Sequence, residues 1–131
     1  MLKVVSSSLV AALVLSSVSG LAQASINDDL QNICTIVKAD DKGELRKKMQ
    51  QVENEHYLKI QDYYTGITCG GQSLLRTAFI NNAVEVGTLL IKKMPKSQLA
   101  APEADGKTLA DWSAEQGLNN SPLVQTLNER M

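Results

Sequence analysis

Few side chains in this 131-residue chain could do covalent or acid–base chemistry. Cys34 and Cys69 are the only cysteines, and His56 is the only histidine. A cysteine nucleophile needs a base within hydrogen-bond reach and a third group to orient that base. His56, in the run Glu53-Asn54-Glu55-His56-Tyr57, is the one histidine that could act so, and it reads better as a surface residue near a helix end. Glu53 and Glu55 could form the carboxylate pair of a glycoside hydrolase, but two acids in one polar run more often make a solvated face. Two cysteines and one histidine fall short of a four-ligand zinc site. No Cys-x-x-Cys redox motif, Gly-x-Ser-x-Gly elbow, Walker A loop, His-Glu-x-x-His helix or Gly-x-Gly-x-x-Gly turn occurs. Gly70-Gly71 reads as a turn before a helix, not a phosphate cradle. Asp28-Asp29 and Asp40-Asp41 lack the spaced oxygens of a calcium loop and suit helix starts. The expectation is a non-enzymatic protein without cofactor or metal.

The cysteines are better explained by where the chain goes. Lys3 is the only charge before Asp28, Val4 to Val18 is apolar or small, and Ala22-Gln23-Ala24 follows Ser19-Gly20. A basic start, a short apolar stretch and an A-x-A site make a secretory signal peptide over residues 1–24, cleaved after Ala24. The serines and Gly20 leave the stretch weak for a membrane span, which needs about 20 predominantly apolar residues. Residues 25–131 then form one small domain. In an oxidising compartment an even cysteine count favours a disulfide, and with two cysteines only Cys34–Cys69 can form. On the chain-entropy model a loop of about 35 residues stabilises by roughly 3–4 kcal/mol. A free buried thiol remains the alternative.

Charge excludes some partners. The chain has 13 Lys+Arg against 14 Asp+Glu, which gives no reason to expect nucleic-acid binding or a polybasic membrane contact. No stretch after residue 24 is apolar enough for stable membrane insertion. Local basic clusters do occur at Lys42, Arg46, Lys47 and Lys48, and at Lys92, Lys93 and Lys96. They could meet an acidic partner or lipid headgroups, but cations near helix C-termini also offset the macrodipole, which is the preferred reading. Tyr57, Tyr63 and Tyr64 are candidate partner-binding residues, because tyrosine is common in binding hot spots and all three fall in a long link. Trp112 lies inside a helical pattern and reads as core.

The elements that must position these groups are helical. Capping signals and periodicity predict helices near 28–39, 42–55, 73–81, 83–94, 108–116 and 122–130. Asp41 and Glu44 have capping-box spacing; Ser121 is a good N-cap and Pro122 a good first helical residue. Pro95 and Pro102 argue against helix between 95 and 105. Aromatics are 4 % of the chain, so the core must be mainly aliphatic.

The run Gly71 to Leu90 resembles an ankyrin repeat: Gly71, Leu75, Ala78, Glu85, Val86, Leu89 and Leu90 stand where that pattern wants them. Ser73, Leu74 and Arg76 replace its Thr, Pro and His, and Asn82 replaces the inter-helix Gly, a swap that left-handed backbone tolerates. Asp105 to Gly117 resembles the opening of another unit, with two extra residues before Ser121. Val37–Met49 overlays Ala78–Leu90 without a gap, matching Asp41 to Asn82. The resemblance implies an all-α fold of about three stacked helix-turn-helix, ankyrin-like units with one disulfide; the alternative is an irregular α-helical bundle. Separately, the blocks around Cys34 and Cys69, with Val86 to Lys93, resemble a family of small exported proteobacterial proteins of unknown function over roughly residues 30–96. That resemblance implies a periplasmic destination and recurrent cysteines, and brings no activity.

The function expected on these grounds is a periplasmic protein-interaction module with an unknown periplasmic protein as partner. The alternatives are a small ligand-binding or stress protein with an apolar pocket, and a hydrolase using Glu53, Glu55 or His56.

Overall fold

A computed structural model of the chain describes residues 16–131. Most of the expected signal peptide lies outside the described residues, and the expected cleavage point at Ala24 falls within the first helix. Eight α-helices occur among the described residues: α1 (Ser16–Lys38), α2 (Lys42–His56), α3 (Ile60–Tyr63), α4 (Leu74–Ile80), α5 (Val84–Lys93), α6 (Lys96–Ala100), α7 (Leu109–Glu115) and α8 (Pro122–Arg130). A 3₁₀ turn, Tyr64–Gly66, follows α3. None of these helices is long and apolar enough to cross a membrane.

Local chemistry sets most helix starts. The Asp41 carboxylate accepts from Glu44 N at 3.1 Å, Ser73 Oγ from Arg76 N at 3.2 Å, Thr108 Oγ1 from Asp111 N at 3.1 Å, and Ser121 Oγ from Leu123 N at 3.2 Å. Each satisfies an amide that the first turn leaves without a backbone partner. The N-cap of α5, Ala83, has no side-chain acceptor. Its cap comes from elsewhere: Asp40 Oδ1, in the α1–α2 turn, accepts from Val86 N at 2.8 Å.

Three inter-helix turns are built alike. Asp40, Asn82 and Gly117 all have left-handed backbone, with φ of 55°, 51° and 74°. In each, the next residue donates back across the helix end: Asp41 N to Ile36 O, Ala83 N to Ala78 O and Leu118 N to Ser113 O. This is the Schellman arrangement, which satisfies terminal carbonyls when one residue turns left-handed. The left-handed residue matching Asn82 is therefore Asp40, one position before the Asp41 expected from the overlay; Asp41 instead serves as the N-cap of α2.

The turns pair α1 with α2, α4 with α5 and α7 with α8. Helix α4 lies between α1 and α7, and α5 between α2 and α8. The units are not equal, however. Helix α1 has 23 residues and α7 has 7, while α3 with its 3₁₀ turn and α6 are inserted between pairs. An irregular bundle describes these contacts better than a clean stack of ankyrin-like units, because the insertions contribute buried residues of their own. Ile60, Tyr63, Tyr64 and Leu99 all enter the core. The expectation that prolines exclude helix after residue 95 is corrected: Pro95 is the N-cap of α6, a place where its missing N–H costs nothing.

One continuous core includes Ile33, Val37, Leu45, Leu74, Leu90, Ile91, Leu109 and Leu123. Phe79 meets Trp112 edge-on, with centroids 6.1 Å apart and planes at 73°. At Gly87 the chain has no room to spare: a Cβ there would lie 2.6 Å from Leu123 Cδ2, so glycine sets the close approach of α5 to α8. Cys34, on α1, is disulfide-bonded to Cys69, with Cα atoms 5.5 Å apart. Cys69 opens a tight hairpin turn. Cys69 N donates to Gln72 O at 2.7 Å and Gln72 N returns to Cys69 O at 3.3 Å. Gly70 and Gly71, with φ of 62° and 88°, supply the two left-handed residues such a turn requires.

Candidate binding cleft

The 69–72 hairpin, the start of α4, the 3₁₀ turn and the link after α6 enclose a cleft of about 490 Å³. Its floor is a polar network centred on Arg76, whose side chain is only 7 % exposed. Ser73 starts α4, so Arg76 falls in the first helical turn and reaches across to the Glu103–Lys107 turn. Asp105 meets one edge of the guanidinium with both oxygens, Oδ2 accepting from Nη1 at 2.7 Å and Oδ1 from Nη2 at 2.9 Å. The Lys107 carbonyl accepts from Nη2 at 3.2 Å. Glu103 Oε1 lies 2.8 Å from Nε, close enough for a charge contact, although the N–H is not aimed along that line. The guanidinium carbon sits 4.9 Å from the Trp112 ring centroid, a cation–π contact.

A hydroxyl chain continues the network. Tyr64 Oη is 2.7 Å from Glu103 Oε2 and 3.0 Å from Ser73 Oγ. Tyr64 has a single hydroxyl proton, so one order satisfies the chain: Tyr64 donates to the carboxylate and Ser73 donates to Tyr64, while Ser73 Oγ accepts from the Arg76 amide. Burial, and then the Glu103 charge, push the Tyr64 hydroxyl well above the ordinary tyrosine range. Arg76 holds the Asp105 carboxyl well below the carboxylate range, with help from the Lys107 amide. Asp105 in turn raises Arg76. Arg76 is thus held between two carboxylates, which leaves the network one net negative charge; the other groups lining the cleft include Thr65, Thr68, Gln72 and Gln98 beside Ile67, Ala101 and Pro102.

The three tyrosines expected to form a partner surface differ in exposure. Tyr57 is 87 % exposed, in left-handed backbone at the end of α2. Tyr63 and Tyr64 are 4 % and 5 % exposed and belong to the core and the cleft floor. Tyr63 shares the short α3 with Ile60, and both are buried, while Tyr64 opens the buried 3₁₀ turn that follows.

The reactive residues of the 53–56 run separate. Glu53 lines a groove between α2 and α3, whereas Glu55 gathers with His56 and Asp29, their ligand atoms all within 4.8 Å of one another. A two-residue step on a helix turns about 200°, so the carboxylate pair expected for hydrolysis does not share one face. His56 is not a free surface residue either. Its Nε2 lies 3.3 Å from Asp29 Oδ2, and Lys48 Nζ lies 3.1 Å from Asp29 Oδ1. Burial alone would raise the Asp29 carboxyl, but Lys48 and His56 outweigh it and lower it. Asp29, Glu55 and His56 are the donors that could face a divalent cation; the Lys48 ammonium already occupies one oxygen of that set.

Sequence reasoning missed Arg76, Glu103 and Asp105. The signal available was Arg76 itself, a cation inside an apolar helical run, which requires an acidic partner somewhere in the chain.

A family model described as "Protein of unknown function (DUF3718)" matches residues 33–101, which contain both cysteines and most of the cleft. No curated protein and no solved structure matches the chain.

Proposed function

The chain belongs to the DUF3718 family, whose description names no activity, and from the geometry of its own residues we propose that it is a small exported ligand-binding protein. The observation that carries this reading is the cleft of about 490 Å³ over the Arg76 network. A concave, partly apolar site with convergent polar groups and strongly shifted ionisable residues is the physical profile of a small-molecule site. Arg76 is ion-paired with both Glu103 and Asp105, so the cleft has no spare positive charge for an anion. A neutral molecule with an apolar body and a few hydrogen-bonding groups fits the threonines and glutamines around the mouth. Export to an oxidising periplasm, expected from residues 1–24, accords with a disulfide between two buried cysteines.

Native mass spectrometry of the purified protein tests the proposal, alongside a Thr65→Trp variant that fills the cleft mouth. A retained small molecule that disappears in the variant, with unfolding behaviour unchanged, supports it. Failure of the wild-type protein to retain or capture any neutral small molecule would overturn it.

A second reading, a protein-interaction module of ankyrin-like ancestry, has two supports. The three Schellman turns repeat at corresponding places between helices, and Tyr57 projects into solvent. Crosslinking in periplasmic extract should then capture a reproducible partner that Tyr57→Ala weakens; no such partner counts against it.

A further inference from the structure

One residue from each basic cluster of the sequence, Arg46 and Lys93, lines a common groove with Lys59. On α2, Arg46, Met49, Gln50 and Glu53 line it at helical spacings that put them on one face. Lys59, just before α3, and Lys93, ending α5, close the other sides. The groove encloses about 520 Å³, and its floor includes Ile60, which is buried.

These three cations have no carboxylate partner, as is true of Lys38, Lys42, Lys92, Lys96 and Arg130 among the described residues; what sets the three apart is that they line one groove. Lys47, Lys48, Arg76 and Lys107 each have a carboxylate oxygen within 4.0 Å. Among the described residues Arg46, Lys59 and Lys93 have none. The Lys59 backbone N–H is capped by Asp62 Oδ2 at 2.8 Å, but that carboxylate leaves the Lys59 ammonium free. Three cations and one carboxylate, Glu53, leave the groove with two net positive charges. Offsetting a helix dipole explains Lys93 in the last turn of α5; it does not explain Arg46, in the middle of α2, or Lys59, outside a helix.

We propose that this groove binds an anion of the phosphate-ester class, held by Arg46, Lys59 and Lys93 from three sides. A phosphate presents up to two charges and several acceptor oxygens on one centre. It can therefore engage an arginine fork and two lysine ammonium groups at once, where a carboxylate offers one charge and a single plane. The cleft over Arg76 is a separate place with no unpaired cation, so this inference does not depend on that reading. The phosphate could come from a free small molecule or from a lipid headgroup, and the test separates the two.

Pyrophosphate is titrated calorimetrically into the purified protein at low salt, and vesicles of phosphatidylglycerol are compared with phosphatidylcholine by flotation. Arg46→Gln, Lys59→Gln and Lys93→Gln should each weaken binding by roughly fivefold, the scale of one exposed charge pair. Glu53→Gln should strengthen it by a similar factor, and Lys107→Gln, outside the groove, should leave it unchanged. This pattern with pyrophosphate supports a free phosphate ligand; the same pattern with anionic vesicles alone supports a headgroup. Binding to neither, or binding weakened as much by Lys107→Gln as by the groove variants, overturns the proposal. Because Glu53→Gln is read as a gain, loss of folding cannot imitate it.

Discussion

Asp40 holds two adjacent structural units together through one oxygen, and removing it should have a specific, dissectable cost. The residue turns the chain left-handed between α1 and α2, with φ 55°, and its Oδ1 caps α5 through Val86 N at 2.8 Å. Asp40→Ala removes both contributions. Loss of an N-cap acceptor costs about 1 kcal/mol, and left-handed backbone costs alanine roughly 1 kcal/mol more than it costs aspartate. The expected total is about 2 kcal/mol, or roughly 10 °C in unfolding temperature for a domain of this size. Two companion variants divide the total. Asp40→Asn keeps an amide oxygen and a side chain that tolerates the left-handed turn, and should stay within about 0.5 kcal/mol of wild type. Asp40→Gly loses the cap but relaxes the backbone, so the two effects nearly offset. Urea unfolding with the disulfide intact measures all three, and hydrogen exchange at the Val86 amide reports the cap directly. That amide should exchange faster in the alanine and glycine variants and stay protected in the asparagine variant. If Asp40→Ala is as stable as wild type, or if Val86 stays protected without the carboxylate, the capping argument is wrong.

Other substitutions probe other contacts. Gly87→Ala should destabilise by about 1–3 kcal/mol, because its Cβ would meet Leu123; Gly66→Ala, with open space around it, should be near neutral in the same unfolding assay. Tyr63→Phe should stabilise by about 1 kcal/mol, since its buried hydroxyl has no hydrogen-bond partner among the described residues. Burial, and then the charge of Glu53, push that hydroxyl up to about 12. The folded state therefore keeps it neutral where the unfolded chain ionises. Its contribution is complete below about pH 10 and is lost as pH rises through about 12, a dependence that Tyr63→Phe should remove from a pH series of urea midpoints. Arg76→Met should cost about 3 kcal/mol by leaving Glu103 without its buried counter-charge, and near-UV circular dichroism should show Trp112 losing its ordered environment.

The all-helical class and most helix ends could be read from residue order alone. Ser73, Thr108 and Ser121 cap helices three or fewer residues away, and the left-handed turn at Asn82 needs no distant partner to be recognisable. The Cys34–Cys69 bond was legible for another reason: with two cysteines there is only one pairing. Short α3 and α6 were not legible, since a single helical turn carries too little periodicity to register and Pro95 signals a helix start as well as a stop.

Apart from the Cys34–Cys69 bond, tertiary structure decided what joins residues far apart in sequence. Arg76 meets Asp105 across 29 residues, His56 meets Asp29 across 27, and Arg46 shares a groove with Lys93. It also decided that Tyr57 faces water while Tyr63 and Tyr64 are buried, although all three share one residue type and one stretch of chain. Most caps and turns are satisfied within a few residues, so sequence order by itself determined them; the cap of α5 by Asp40, 46 residues before Val86, is the exception. A charge partner or a buried hydroxyl answers to whatever the packed helices bring alongside, and that is set only once the inserted α3 and α6 have closed around the core.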